Sequence, residues 1–214
     1  MESHVLALFE DALTAGATTS LPAMSRVVYV MRGNATIAAD GRDASLAENQ
    51  AWHGTGPCTM TARSESRIWR WEIRSDATRD ARLAREIDLP SGEHLMRCDR
   101  VDFPPGGVAY THTHQGPGIR VLLRGRFRVE VDGHEERIAP GEAWFERGPD
   151  PVYAEASREE PTSFVRVMVL PRALLGKSSI RYVKPEDQAR PKPQTYTVFV
   201  DAPIAIGVAE DRRC

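Results

Sequence analysis

The sequence lacks an excess of charge of either sign, a long apolar run and a cysteine framework, and each absence excludes a class of protein. Its 28 Lys and Arg nearly balance 30 Asp and Glu, so there is no basic field to neutralise nucleic-acid phosphates. No apolar run suits a transmembrane helix, and the acidic residues in the opening stretch MESHVLALFEDALTAG argue against a signal peptide. Cys58, Cys98 and Cys214 are scattered and odd in number, which indicates reduced thiols. We therefore expect a soluble, cytoplasmic protein that binds neither nucleic acid nor a membrane.

A gapless internal repeat indicates a duplicated unit. Residues 27–62 lie over residues 119–154 at a constant offset of 92 positions. The shared positions are the glycines that turns require and the tryptophans that a core requires. The identical pairs are Arg32-Gly33 with Arg124-Gly125, Asp40-Gly41 with Asp132-Gly133, Ala51-Trp52 with Ala143-Trp144, and Gly56-Pro57 with Gly148-Pro149.

The periodicity within each copy is that of short strands. Phe127, Val129 and Val131 alternate with polar residues before the turn signal Asp132-Gly133. Runs of four to seven residues between Gly, Pro and Asp favour a sandwich or closed barrel, so the fold class is all-β.

The ends of the chain carry the remaining elements. Val5, Leu8, Phe9 and Ala12 have helical spacing, with Ser3 as a possible N-cap, which predicts a short N-terminal helix over about residues 4–15; a frayed terminus is the alternative. We divide the chain into a first barrel (1–75), a connection (76–92), a second barrel (93–171) and a tail (172–214) with a Pro-rich linker. Within that tail, TYTVFVD predicts a strand that packs on a barrel.

The second copy contains the stretch GGVAYTHTHQGPGIRVLLRG, from Gly106 to Gly125. It resembles the first cupin motif, in which a Gly is followed by His-x-His, a Glu and a second Gly. Gly106, His112, His114 and Gly125 match in type and spacing, whereas Gly118 stands where the family has Glu. The second motif is echoed from Gly141, but its His is absent, since no histidine follows His134.

The resemblance implies two tandem cupin-type barrels, a bicupin, with a degenerate first barrel. The first copy has Ser20 and Pro22 opposite His112 and His114, so it cannot form the same metal site. Bicupins often self-associate, and covering exposed edge strands is a physical reason to expect a homodimer.

The two histidines are the predicted metal ligands. Residues two apart on a strand face the same side, so His112 and His114, and Tyr110 with them, should point at one spot. Two imidazoles suit Fe, Mn, Ni, Cu or Zn better than Mg or Ca. A mononuclear site usually needs a third protein ligand. The candidates, among which the sequence does not choose, are Gln115, Glu146, Asp150, Tyr153 and Glu155.

Two further residues bear on the substrate. With Gly118 in place of Glu, space and negative charge are removed beside the metal, which favours an anionic substrate. Alternation sends Arg120 inward as well, where it needs an acidic partner or a carboxylate ligand. The alternative is that Arg120 pairs with a structural acid such as Glu130 or Glu142. We take Tyr110, as proton donor, and Arg120 as candidate catalytic residues.

Three functions remain open. The first is a metal-dependent enzyme of dioxygenase, isomerase or lyase type, in which the ion acts as a Lewis acid or, if iron, binds O₂. The second is a non-catalytic barrel that binds or senses a small ligand. A purely structural role is disfavoured, because packing alone does not require His112, Tyr110 or Arg120 to be polar.

Overall fold

A computed structural model of the chain describes residues 4–75, 79–89 and 92–206. The described residues are almost entirely β-strand, which confirms the predicted all-β class and its arrangement as two cupin-type barrels. The described residues form two compact units, one from within residues 4–95 and 202–206 and the other from residues 96–201. None of the helices in the described residues is long and apolar enough to span a membrane.

The first barrel consists of a five-stranded and a four-stranded sheet. The five-stranded sheet has the order β6-β3-β8-β1-β9 and the four-stranded sheet the order β2-β7-β4-β5. Apolar side chains such as Val28, Ile37 and Met60 fill the space between the strands. Its strands are β1 (His4–Leu13), β2 (Thr18–Leu21), β3 (Arg26–Arg32), β4 (Ala35–Ala39), β5 (Arg42–Leu46), β6 (Ala51–Gly54), β7 (Cys58–Ala62), β8 (Ser66–Arg74) and β9 (Leu83–Ile87).

The second barrel consists of two five-stranded sheets, with the orders β15-β12-β17-β10-β19 and β14-β13-β16-β11-β18. One end of its interior is apolar and includes Phe103, Phe127, Trp144 and Phe164. Its elements are β10 (His94–Phe103), β11 (Val108–His114), β12 (Gly118–Arg124), β13 (Phe127–Val131), β14 (His134–Ile138), β15 (Ala143–Glu146), β16 (Val152–Ala156), β17 (Thr162–Pro171), a 3₁₀ turn (Arg172–Leu174), β18 (Ile180–Tyr182), α1 (Pro185–Gln188) and β19 (Thr195–Ile204).

The duplicated turns have the geometry that their residues favour. Strands β13 and β14 pair from Phe127 with Ile138 to Val131 with His134, which leaves Asp132 and Gly133 as the two-residue loop. Both have positive φ, 49° and 75°, as in a type I′ turn. The equivalent residues in the first barrel, Asp40 and Gly41, have φ of 51° and 71°. The repeat found in the sequence is therefore a repeat of hairpin geometry.

The predicted N-terminal helix is wrong, because residues 4–13 form strand β1. The strand pairs with β8 on one side and β9 on the other. Leu6, Ala7 and Leu8 are all fully buried, as expected for a strand covered on both faces. The apolar residues at helical spacing belong to this nearly continuous apolar run, while the proposed cap, Ser3, lies outside the described residues.

The predicted connection and tail hold more structure than expected. Part of the 76–92 segment forms β9, which pairs with β1, whereas residues 76–78, 90 and 91 lie outside the described residues. In the tail, TYTVFVD forms most of β19, next to β10 at the edge of its sheet. Cys58 and Cys98 are buried free thiols; Cys214 lies outside the described residues.

Candidate metal centre

His112 and His114 converge inside the second barrel. Both lie on β11, and they are 5% and 3% exposed. Their Nε2 atoms lie 3.3 Å apart, and their rings are nearly perpendicular, at 88°. The alternation of the strand thus places both imidazoles at one point, in the arrangement predicted from the His-x-His spacing.

The partners of the two Nδ1 atoms determine what the Nε2 atoms can do. His112 Nδ1 lies 2.7 Å from the Tyr110 carbonyl oxygen, which can only accept a hydrogen bond. In the neutral ring Nδ1 therefore carries the proton, and His112 Nε2 presents a lone pair. His114 Nδ1 lies 3.2 Å from the Ser179 hydroxyl, so its Nε2 can also present a lone pair toward the same point.

Both imidazoles are kept neutral by their surroundings. Burial lowers the pKa of His112, against the raising effects of Glu146 and of the Tyr110 carbonyl. Burial also lowers the pKa of His114, well below its usual range, and the positive charges of Arg166 and Arg120 add to this effect. Neutral imidazoles are the form that binds metal ions.

The separation of the nitrogens fits a shared transition-metal ion. The 3.3 Å separation of the Nε2 atoms is shorter than twice the usual bond of about 2.1 Å between a transition metal and an imidazole nitrogen, so the two atoms could bind one ion in common. No three His, Cys, Asp or Glu side chains form a complete metal site anywhere in the described ranges. The histidine pair therefore fits as a two-nitrogen chelate that requires further donors.

Glu146 is the predicted third ligand that lies beside the imidazoles. Its Oε2 is 3.5 Å from His114 Nε2 and 2.6 Å from Arg120 Nη2, and its Oε1 accepts a hydrogen bond from Trp144 Nε1 at 2.9 Å. The contact with Arg120 is an ion pair that lacks the alignment of a hydrogen bond. Glu146 is thus shared between the histidine and the arginine.

The other predicted third ligands do not share this position. Asp150 is paired with Arg147, Tyr153 lies under Arg128, and Glu155 is bonded to Arg128. Gln115 follows β11, and its backbone N–H donates to the Ser179 carbonyl.

Arg120 points inward as predicted, but its partner differs from those expected. It is 1% exposed, and Glu146 takes the place of the predicted Glu130 or Glu142. Burial lowers the pKa of Arg120 to about 10, against the raising effect of Glu146. The guanidinium is therefore still charged at neutral pH.

A second buried arginine was missed by the sequence reasoning. Arg166 on β17 lies directly across from Arg120 in the strand register. It donates two hydrogen bonds to Asp99, at 2.6 and 3.1 Å. The signal was present, because a charged residue within the apolar run SFVRVMVL needs a buried partner.

Gly118 does not leave the open space that was predicted. A Cβ at this position would lie 2.7 Å from the Val167 carbonyl oxygen and 3.0 Å from Arg120 Nη1. That Nη1 donates a hydrogen bond to the Gly118 carbonyl at 2.5 Å. A side chain at this position would therefore collide with the backbone of β17, with Met168 and with Arg120.

Tyr110 does not follow the alternation on which its predicted role depended. The register of β11 against β16 shifts by one residue between Ala109 and His112, so a bulge separates Tyr110 from the histidines. Ala109 occupies the apolar interior, and the Tyr110 ring lies against Arg190, at 4.7 Å. Tyr110 contributes its backbone carbonyl to the site, and the expected convergence of its side chain with the histidines was wrong.

A small pocket lies next to Glu146. Its volume is about 130 Å³, and Glu146 lines it together with Phe145, Arg147 and Asp150, whereas neither of the two histidines nor Arg120 is among its lining residues.

The first barrel has a different interior at the equivalent place. Arg26, at the position that matches Gly118 in the repeat, is fully buried. It bonds to Glu72 at 3.2 Å and to the Pro22 carbonyl at 2.6 Å. At this place the first barrel thus has a buried arginine ion pair, and it has no histidine pair at the repeat positions.

Comparisons with known proteins agree with this description. Residues 99–168 match the family described as "Cupin domain". The second unit of the chain therefore contains a domain of the cupin superfamily. No curated protein matches the sequence.

Solved structures with a similar fold include an enzyme and a protein that is named for its barrel domain. Oxalate decarboxylase from Bacillus subtilis, at pH 4.6, superposes with a TM-score of 0.66 and 13% identity, over 90% of this chain and 80% of that one. AerE from Microcystis aeruginosa gives 0.59 and 10%, over 79% and 88%. A cupin 2 conserved barrel domain protein from Leptotrichia buccalis gives 0.51 and 18%, over 79% and 85%. At these identities the likeness shows the fold alone.

Proposed function

We propose that the second barrel is a metal-dependent enzyme that acts on a small anionic organic molecule. The observation that carries this proposal is the meeting of two neutral imidazoles, His112 and His114, with Nε2 atoms 3.3 Å apart. In this proposal they hold a divalent transition metal, such as Fe, Mn, Ni, Cu or Zn, and Glu146, 3.5 Å from His114 Nε2 but paired with Arg120, is the candidate third donor that would have to shift to complete the site. When bound, the ion supplies Lewis-acid polarisation of a substrate oxygen.

Arg120 supports the anionic character of the substrate. Its guanidinium is fully buried, charged at neutral pH and neutralised by one carboxylate, that of Glu146. A substrate carboxylate can make the same contact in a bidentate manner. An anion that binds Arg120 therefore competes with Glu146 for the guanidinium.

Metal analysis tests the proposal directly. Protein purified without chelator is expected to bind about one equivalent of a transition metal, and His112→Ala should lose it, since one imidazole cannot chelate. His134→Ala is the matched control, because His134 is an exposed histidine of the same barrel. Less than about 0.1 equivalent in the unmodified protein, after incubation with each candidate metal, would refute the proposal.

The second candidate is a non-catalytic barrel that binds or senses a small ligand. It is favoured by the incomplete set of donors in the described residues and by the internal neutralisation of Arg120. A turnover assay against small carboxylic acids separates the two functions. Turnover that is lost in a folded His112→Ala variant would exclude the sensing role.

We also propose that the chain forms a homodimer and works in the reducing cytoplasm. Strand β19 lies at the edge of its sheet and exposes Tyr196 and Val198, which are 43% and 55% accessible. Edge strands of this kind are available for pairing with a second copy. The buried free thiols of Cys58 and Cys98 suit a reducing compartment.

A further inference from the structure

Strand β18 is an addition to the duplicated unit. The sheet β14-β13-β16-β11-β18 corresponds to β5-β4-β7-β2 of the first barrel, which ends at β2 within the described part of the chain. The additional strand pairs with β11, the strand that carries both histidines. The register places Ile180 opposite His114 and Tyr182 opposite His112. The barrel with the histidine pair is thus the one that has this extra strand.

Buried polar contacts hold the segment that leads to β18. Arg97, 6% exposed, donates to the carbonyl oxygens of Leu174 and Lys177, each at 2.7 Å. It also forms two bonds with the carboxylate of Asp201, at 3.0 and 2.9 Å. The Gln115 N–H then donates to the Ser179 carbonyl at 3.2 Å. The position of Ser179 is therefore fixed from both sides.

The Ser179 hydroxyl meets the imidazole of His114 in the interior. Both side chains are 3% exposed, and Oγ lies 3.2 Å from Nδ1. The hydroxyl donates its one hydrogen toward the sulfur of Met168, at 3.8 Å. Its oxygen can then accept the Nδ1–H of His114 in the tautomer that leaves a lone pair on Nε2, and the same hydroxyl can rotate to donate to Nδ1 in the other tautomer.

The alternative tautomer of His114 would close the chelate. A proton on Nε2 would point at His112 Nε2, 3.3 Å away, which presents a lone pair because its Nδ1 donates to the Tyr110 carbonyl. The two imidazoles would then bond to each other, and a metal would have to break that bond. Since the Ser179 hydroxyl can bond to Nδ1 in either tautomer, it can hold the ring in place and accept the Nδ1 proton when Nε2 binds a metal.

We propose that Ser179 is a positioning residue that holds the His114 ring and accepts its Nδ1 proton when Nε2 binds metal, an inference that rests on the proposed function. The site then depends on a segment outside both the repeat and residues 99–168. Partners of this kind fix the orientation and tautomer of a ligating histidine, and their loss typically weakens metal binding 10- to 100-fold.

The test compares Ser179→Ala with Ser178→Ala in the full-length chain. Ser178 is the adjacent serine, and its Oγ accepts the Ile180 N–H without contacting the histidines. Titration with Zn²⁺ or Co²⁺ is expected to show binding about 10- to 100-fold weaker for Ser179→Ala and unchanged for Ser178→Ala. Ser179→Thr, which keeps the hydroxyl, should restore most of the affinity.

The titration separates the two proposals. If the unmodified protein binds no metal, the proposed function fails, and the metal role of Ser179 fails with it. If the unmodified protein and Ser179→Ala bind metal with equal affinity, within about twofold, only the positioning role fails.

Discussion

Replacing Glu146 by Gln tests whether the interior of the second barrel is held by a balanced set of charges. The described interior contains two arginines, Arg120 and Arg166, and two carboxylates, Asp99 and Glu146, beside the neutral histidines. Glutamine keeps the volume of Glu146 and an acceptor for Trp144 Nε1, but it removes the charge 2.6 Å from Arg120.

The structure sets the size of the effect. Arg120 is 1% and Glu146 8% exposed, so the guanidinium would be left without its counter-ion in the barrel interior. Removing one partner of a buried ion pair typically costs about 3–5 kcal/mol. For a unit of this size, that loss lowers the melting temperature by about 12 °C or more. The double variant Arg120→Met/Glu146→Gln removes both charges and should recover most of the loss.

The assay is unfolding in urea, monitored by hydrogen exchange in peptides from β12 and β15, because these strands report on the second barrel itself. Glu130→Gln is the matched control, since Glu130 is 45% exposed and pairs with Arg128 at 3.4 Å. Its expected cost is about 0–1 kcal/mol. A Glu146→Gln variant as stable as this control, or a double variant no more stable than Glu146→Gln, would refute the reasoning.

Two further predictions concern the family glutamate and the exposed edge. Gly118→Glu, which installs the family's carboxylate, should destabilise the barrel and fail to improve metal binding, because even a Cβ would lie 2.7 Å from the Val167 carbonyl oxygen. Its thermal unfolding is compared with that of Gly141→Ala, where the added Cβ meets open space and only the backbone cost of about 1 kcal/mol applies. Equal melting temperatures for the two variants would contradict the prediction. Val198→Glu should dissociate the proposed homodimer by placing a charge on edge strand β19, as sedimentation equilibrium would show; an unchanged dimer would move the interface elsewhere.

The features that depend on local pattern were predicted well from the sequence. The hairpin at Asp132-Gly133 follows from alternation and a turn that requires positive φ, and the structure confirms both. The convergence of His112 and His114 follows from the period of two within one strand. These predictions need only a few neighbouring residues, so no long-range information was missing.

The wrong predictions depend on contacts that a local pattern does not contain. Val5, Leu8, Phe9 and Ala12 fit a helical face, but β8 and β9 cover both sides of β1, and burial on two faces removes the alternation that marks a strand. A single extra residue in β11 removed Tyr110 from the face of His112. Glu146 could be named as a candidate, but its selection depends on the pairing of β15 with β12, which sets Glu146 opposite Gly118.

The extra strand β18 also bears on how the second barrel can be isolated. A fragment cut at residue 168, where the family match ends, would retain both histidines, Arg120 and Glu146. It would nevertheless expose the outer edge of β11 to water and deprive His114 of its hydroxyl neighbour. A fragment whose borders are taken from the family match would therefore keep the recognisable motif but should bind metal more weakly than the full-length chain.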